Sequence, residues 1–220
     1  MTPERDDSMD HELSLEAAVA ELPLIAILRG VDPAQVEEVG ATLVEAGFRI
    51  IEVPLNSPDP FRSIELLVNK IGNHALIGGG TVMTADRARR VVGAGGRLVV
   101  MPHSDAEIIR AAKSAGAGCL PGVATPTEGF AALSAGADGL KLFPAEALPP
   151  AVVKSWRAVF PSRAQLFPVG GIMPGSLAGY VDAGATGFGI GSALYKPGIE
   201  LDELRHRAES FVAAWRAVGR

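Results

Sequence analysis

Apolar and polar positions along this chain follow two alternating rhythms. Short runs rich in Ile, Val and Leu recur, and the stretches between them place apolar residues three and four apart. The runs LIAIL (24–28), RIIEVP (49–54), ALIGG (75–79), RLVVMP (97–102), GCLP (118–121), GLKLF (139–143), QLFPV (165–169) and TGFGI (186–190) predict eight buried strands. Intervening segments such as 32–47 and 104–116 carry the helical period. In the second, Ile108, Ile109, Ala112 and Ala115 share one face. An Ala-Gly pair recurs before the strand runs, in EAGF, GAGGR, SAGAG, SAGAD and DAGAT, with glycines at 47, 95, 116, 136 and 184. Glycine suits the left-handed residue that closes a helix, and the intervals of 48, 21, 20 and 48 match one or two compact helix–strand units.

Strands alternating with helices eight times over predict an α/β fold, a single (β/α)8 TIM barrel. The barrel is expected over residues 21–220, with residues 1–20 as a flexible N-terminal extension. The rival is an open doubly wound sheet. That fold often carries a glycine-rich first turn, whereas LRGVD (28–32) is not a GxGxxG.

Composition narrows the class. The 220 residues are 48% apolar and 20% charged, enough for one sizeable core. A net charge of −5 gives no basic surface for nucleic acid or anionic membrane. No apolar run approaches the ~20 residues that cross a bilayer, and MTPERDDSMDHELS does not read as a signal peptide. One cysteine, Cys119, excludes an internal disulfide. The expectation is a soluble cytoplasmic protein. The four histidines show no metal-ligand spacing, so no metal is expected.

The chemistry gathers at strand ends, where barrel enzymes place it. Polar residues at or after each run are Arg29, Glu52 with Asn56, Thr81, His103 after Pro102, Thr125 and Lys141, then Gly170-Gly171 and Gly191-Ser192. Lys141 lies between Leu140 and Leu142. An ammonium in an apolar strand is costly unless paired or deprotonated. Two readings stand: a structural lysine paired with a carboxylate, or an amine that attacks a ketone carbon. Glu52, among Ile50, Ile51 and Val53, is either that partner or a proton shuttle, and both can hold. Arg29 is either a surface ion pair or a two-pronged grip on a carboxylate. VGGI (169–172) and GIGSAL (189–194) could be simple turns. Together they match the phosphate cradle after the last two strands of a barrel, with Ser192 adding a hydroxyl.

LIAILRG, IIEVPLNSP, IGGGTV, LPGVATPTE, LKLFPAE, FPVGGI and GIGSALY then resemble, in order, the signatures of the 2-keto-3-deoxy-6-phosphogluconate aldolases and their relatives. The resemblance covers residues 21–217 and implies a class I, Schiff-base aldolase without a cofactor. It implies Lys141 as the Schiff-base lysine, Glu52 as general acid/base, Arg29 and Thr81 at the substrate carboxylate, and Gly170, Gly171, Gly191 and Ser192 at the phosphate. PLNSP, with Asn56 where gluconate-type members carry an arginine, and VGG, with Val169 in place of a threonine, look like the galactonate-type branch. Val169 and Asn56 are thus the expected epimer-selective positions. The implied reaction cleaves 2-dehydro-3-deoxy-6-phosphogalactonate to pyruvate and D-glyceraldehyde 3-phosphate, with a small-molecule partner only and a homotrimeric assembly. Rival readings are a gluconate-type or 4-hydroxy-2-oxoglutarate aldolase, and a sugar-phosphate isomerase or epimerase on the same barrel.

Overall fold

The computed structural model describes residues 13–218. The expected rhythm of strand and helix is present. Strands β1 (Leu24–Ile27), β2 (Ile50–Pro54), β3 (Leu76–Gly80), β4 (Leu98–Val100) and β5 (Gly118–Leu120) alternate with helices α2 (Val36–Glu45), α3 (Pro60–Ile71), α4 (Ala85–Gly93) and α5 (Ala106–Ser114). Strands β6 (Gly122–Val123), β7 (Gly139–Leu142), β8 (Gln165–Pro168) and β9 (Phe188–Ile190) follow, with α6 (Pro126–Ser134), α7 (Pro150–Arg157) and α8 (Leu177–Asp182) between them. Helix α1 (Leu15–Glu21) precedes the first strand and α9 (Leu201–Val218) ends the chain.

Every ladder is parallel. One curled sheet runs β5-β4-β3-β2-β1-β9 and a second runs β6-β7-β8. The fifth apolar run, GCLP, forms β5 up to Leu120, and a further short strand, β6, follows Pro121, whose missing N–H interrupts a ladder. Between the two sheets, Val169 and Gly189 form a parallel bridge, and the N–H groups of Thr186 and Gly187 donate to Leu166 O. Gly47, Gly95, Gly116, Gly136 and Gly184 all take left-handed φ between 82° and 111° where helices end, as their recurrence predicts.

Two apolar clusters divide the core. The larger lies between strands and surrounding helices, and receives Leu204, Ala208, Phe211 and Val212 of α9. The smaller contains Ile25, Ile50, Leu76, Leu98, Val100, Leu120 and Phe167, one layer facing inward from the curled strands. Ala18 and Val19 of α1 pack onto that layer from below. The N-terminal boundary therefore differs from the expected one. Residues 15–20, assigned to a flexible extension, form a helix because their small apolar face covers the open end of the inner layer. Its first turn is capped by Ser14 Oγ, which accepts from the Ala17 N–H. Residues 1–12 of that extension lie outside the described residues.

Candidate active site

Side chains alternate along a strand, so Glu52 faces the same way as Ile50, into the inner layer. Lys141 likewise shares a side with Gly139, where an added Cβ would meet Leu120 and Phe167. Both polar residues therefore stand above the apolar layer, toward the strands' C-terminal ends. Glu52 is 2% exposed and Lys141 5%. The parallel pairing β1-β2-β3 holds Glu52 opposite Ile27 and Gly78.

Burial decides the charge state of both groups. Loss of solvation pushes the Glu52 carboxyl up from 4.5 to about 7, and the charges of Lys141 and Arg29 only partly offset that rise. Loss of solvation lowers Lys141 below the usual lysine range. Glu52 counters this and Arg29 adds to it. Glu52 Oε2 has no hydrogen-bond partner, so the two residues couple through charge while a carboxyl lone pair stays uncommitted. The Lys141 Nζ sits 4.7 Å from the centre of the Phe143 ring, a cation–π contact that orients the amine.

Arg29 follows β1, and its Nη1 donates to Asn56 Oδ1 at 2.9 Å. Asn56 thus positions the guanidinium, a role its sequence context did not suggest. The neighbouring Ser57 Oγ accepts from the Gly30 N–H at 2.9 Å, tying the same two loops together. Thr81 follows β3 with φ of 53°, a left-handed conformation that costs a threonine on the order of 1–2 kcal/mol.

A cavity of about 710 Å³ opens beyond the C-terminal ends of β1, β7, β8 and β9. Arg29, Phe143, Val169, Gly170, Gly171, Gly191 and Ser192 line it, as do Glu146 and, from the far side, Lys196, His206 and Arg207. The arginine, the two glycine turns and Val169 are therefore brought together around one space. The geometric link from the buried pair to this space is Phe143, which lines the cavity and has Lys141 Nζ 4.7 Å from its ring centre. Glu52, Lys141, Thr81 and Asn56 are not among the cavity's lining residues. Gly170 and Gly171 suit glycine through their φ values of 115° and 61°, and the Glu146 side chain lies where a Cβ on either would project. Gly191 differs, since a Cβ there would meet no protein atom within 4 Å.

Two other candidates have structural roles. Thr125 caps α6 in a reciprocal capping box with Glu128. Cys119 is buried, and burial pushes its thiol up to about 12, far from a reactive thiolate. Sequence reasoning missed Glu146, Phe143 and Gly80. The three glycines of IGGGTV were the available signal for Gly80, because a strand interior seldom tolerates such a run.

A family model described as KDPG and KHG aldolase matches residues 15–207. A probable 2-dehydro-3-deoxy-6-phosphogalactonate aldolase of Rhizobium meliloti is 48% identical over 198 residues, covering 90% of this chain and 93% of that one. The 2-dehydro-3-deoxy-6-phosphogalactonate aldolase of Escherichia coli is 44% identical over 196 residues, 89% of this chain and 95% of its own. A solved structure described as native KDPGal superposes with a TM-score of 0.89 at 42% identity, over 90% of this chain and 96% of that one. With a buried lysine–glutamate pair, a glycine-lined cavity and a family model spanning most of its length, this chain belongs to the KDPG and KHG aldolase family.

Proposed function

We propose that this chain is a Schiff-base aldolase that cleaves 2-dehydro-3-deoxy-6-phosphogalactonate to pyruvate and D-glyceraldehyde 3-phosphate. The observation that carries the reading is the burial of Lys141 and Glu52 above one apolar layer. Loss of solvation there lowers the lysine and raises the carboxyl to about 7, which moves both groups toward the proton exchange that imine chemistry needs.

The neutral Lys141 amine adds to the C2 ketone, Glu52 takes the proton shed by the nitrogen, and it returns that proton to the carbinolamine hydroxyl, which leaves as water to give the iminium. Glu52 then takes the proton of the C4 hydroxyl, and the C3–C4 bonding pair moves into the iminium. D-Glyceraldehyde 3-phosphate departs and the enamine of pyruvate stays on Lys141. Protonation at C3 and hydrolysis release pyruvate and the amine. Arg29, oriented by Asn56, grips the substrate carboxylate, with Thr81 beside it. The phosphate rests on N–H groups near Gly170, Gly171 and Gly191 and on the Ser192 hydroxyl. Gly191 supports this, because the protein's own packing gives no reason for its missing side chain.

The scaffold belongs to the same reading, one domain whose strands close as a (β/α)8 barrel. The Val169–Gly189 bridge at one seam and the continuity of β5 and β6 across Pro121 at the other support closure. A cytoplasmic homotrimer acting on small-molecule substrate alone, without nucleic acid or membrane, completes the proposal. No described helix is long and apolar enough to cross a membrane.

The galactonate preference rests on Val169, which lines the cavity without a hydroxyl, and on Asn56, which is committed to Arg29. The test is kcat/KM for the two C4 epimers, together with borohydride trapping of pyruvate on Lys141. A preference for the gluconate epimer would leave the aldolase reading and remove the substrate.

A further inference from the structure

The cavity wall holds one carboxylate among the described residues, and it lies on the glycine turn. Glu146 Oε2 packs directly over Gly170, and its Cγ and Oε1 stand 3.1 Å from where a Cβ on Gly171 would be. The backbone that carries it is fixed. Glu146 lies in the short 3₁₀ turn Ala145–Ala147, and Ala145 is fixed on both sides. Its N–H donates to Val169 O at 2.9 Å, and its carbonyl accepts from the Tyr180 hydroxyl at 3.0 Å. Tyr180 is buried, so the turn is pinned from the core, and only the Glu146 side chain can swing. Glu146 also acts on Tyr180 through its charge, behind the desolvation that mainly raises that hydroxyl.

We propose that Glu146 tunes the phosphate end of the substrate site by like-charge repulsion, holding its carboxylate over the Gly170–Gly171 turn so that phosphate binds loosely. The inference rests on the placement of phosphate at that turn. The cations sharing the cavity make such a device useful. Arg29, Lys196 and Arg207 all line it, although Arg207 Nε also donates to Glu203 Oε1 at 2.7 Å. With no anion beside them, these cations and the N–H donors of the turns would retain inorganic phosphate and the phosphorylated product. An anion against the turn weakens both and speeds release, without touching the reacting carbons.

The test uses inorganic phosphate as a competitive inhibitor and as a titrant in calorimetry, on the full chain. Glu146→Gln keeps size and removes charge, and the side chain is exposed, so folding should survive. The expected result is inorganic phosphate binding about tenfold tighter at low salt, with the gain shrinking at high salt as charges are screened. Glu146→Asp, which keeps the charge, should stay near the unsubstituted protein. Phosphate affinity in Glu146→Gln that is unchanged or weaker overturns the proposal. Gly191→Val is the control for the site itself. If it weakens phosphate while Glu146→Gln fails to tighten it, the cradle stands and the role of Glu146 falls. If Gly191→Val leaves phosphate binding untouched, the placement of phosphate is wrong and both fall.

Discussion

The Glu52 carboxyl lies flat against the Cα of Gly80, so close that a Cβ at position 80 would overlap its oxygen Oε2. The two meet across the β2–β3 ladder, where Pro54 pairs with Gly80 and Glu52 with Gly78. Gly80 is not at positive φ, so its backbone would accept alanine and only the carboxyl would object. Gly80→Ala should therefore fold, yet drive Glu52 from its buried position. A displaced general base should cost roughly 10² or more in kcat. Better solvation should also move the acidic limb of the rate profile below that of the unsubstituted enzyme. A melting curve with kcat against pH checks this. Unchanged kcat and profile would mean the carboxyl has another resting place.

The raised Glu52 carboxyl makes a signed prediction. Activity needs the ionised carboxylate and the neutral amine, so kcat/KM should rise as pH passes upward through about 7. Stability runs the other way. Above an ordinary value of 4.5, the unfolded chain releases a proton that the folded chain keeps until about 7. The stability from protonated Glu52 is thus fully present below 4.5 and lost as pH climbs through 7. Glu52→Gln carries no such charge. It should match the parent near pH 5 and exceed it near pH 8 by up to about 3 kcal/mol, at 1.36 kcal/mol per unit. Its kcat should meanwhile fall by about 10²–10⁴. Equal urea midpoints at the two pH values would argue that Glu52 is not desolvated.

Lys141 should form the imine. Pyruvate with borohydride should add one reduced pyruvyl group at Lys141, and Lys141→Ala should remove it. Mass mapping of the peptide decides the site. Labelling at Lys196, which faces the cavity, would move the chemistry out of the inner layer.

What could be read in the sequence follows from where the signals are local. Ala-Gly pairs and apolar runs act within a few residues, so helix ends and strands were legible, as was Lys141, a charge between Leu140 and Leu142. Pro121 interrupting a ladder was a local signal that the run around it obscured. The Arg29–Asn56 bond, Gly80 beneath Glu52 and Glu146 over Gly170 each join residues from different strand–helix units. Sequence gives such residues no mark beyond their type. The packing of α1 was hidden for the same reason, since Ala18 and Val19 acquire their role only once the inner layer has formed.

Val169 allows the substrate proposal to be tested apart from the chemistry. Its backbone is held on both sides, the N–H donating to Leu142 O at 3.0 Å and the carbonyl accepting from Ala145. Its methyls pack toward Gly189, and the residue borders the cavity with 6% exposure. Val169→Thr keeps the shape and adds one hydroxyl. Left unpaired in the free enzyme, that hydroxyl should cost about 1–3 kcal/mol of stability. Paired with the C4 hydroxyl of one epimer, it should recover about 0.5–1.5 kcal/mol, roughly a threefold to tenfold change in the epimer ratio of kcat/KM. The shift should favour the gluconate configuration, with imine trapping unaltered, because Lys141 does not depend on that contact. Measuring both epimers in parent and variant separates the outcomes. A ratio that stays put would show that Val169 does not face the reacting carbon, and that epimer choice must be set elsewhere in the cavity.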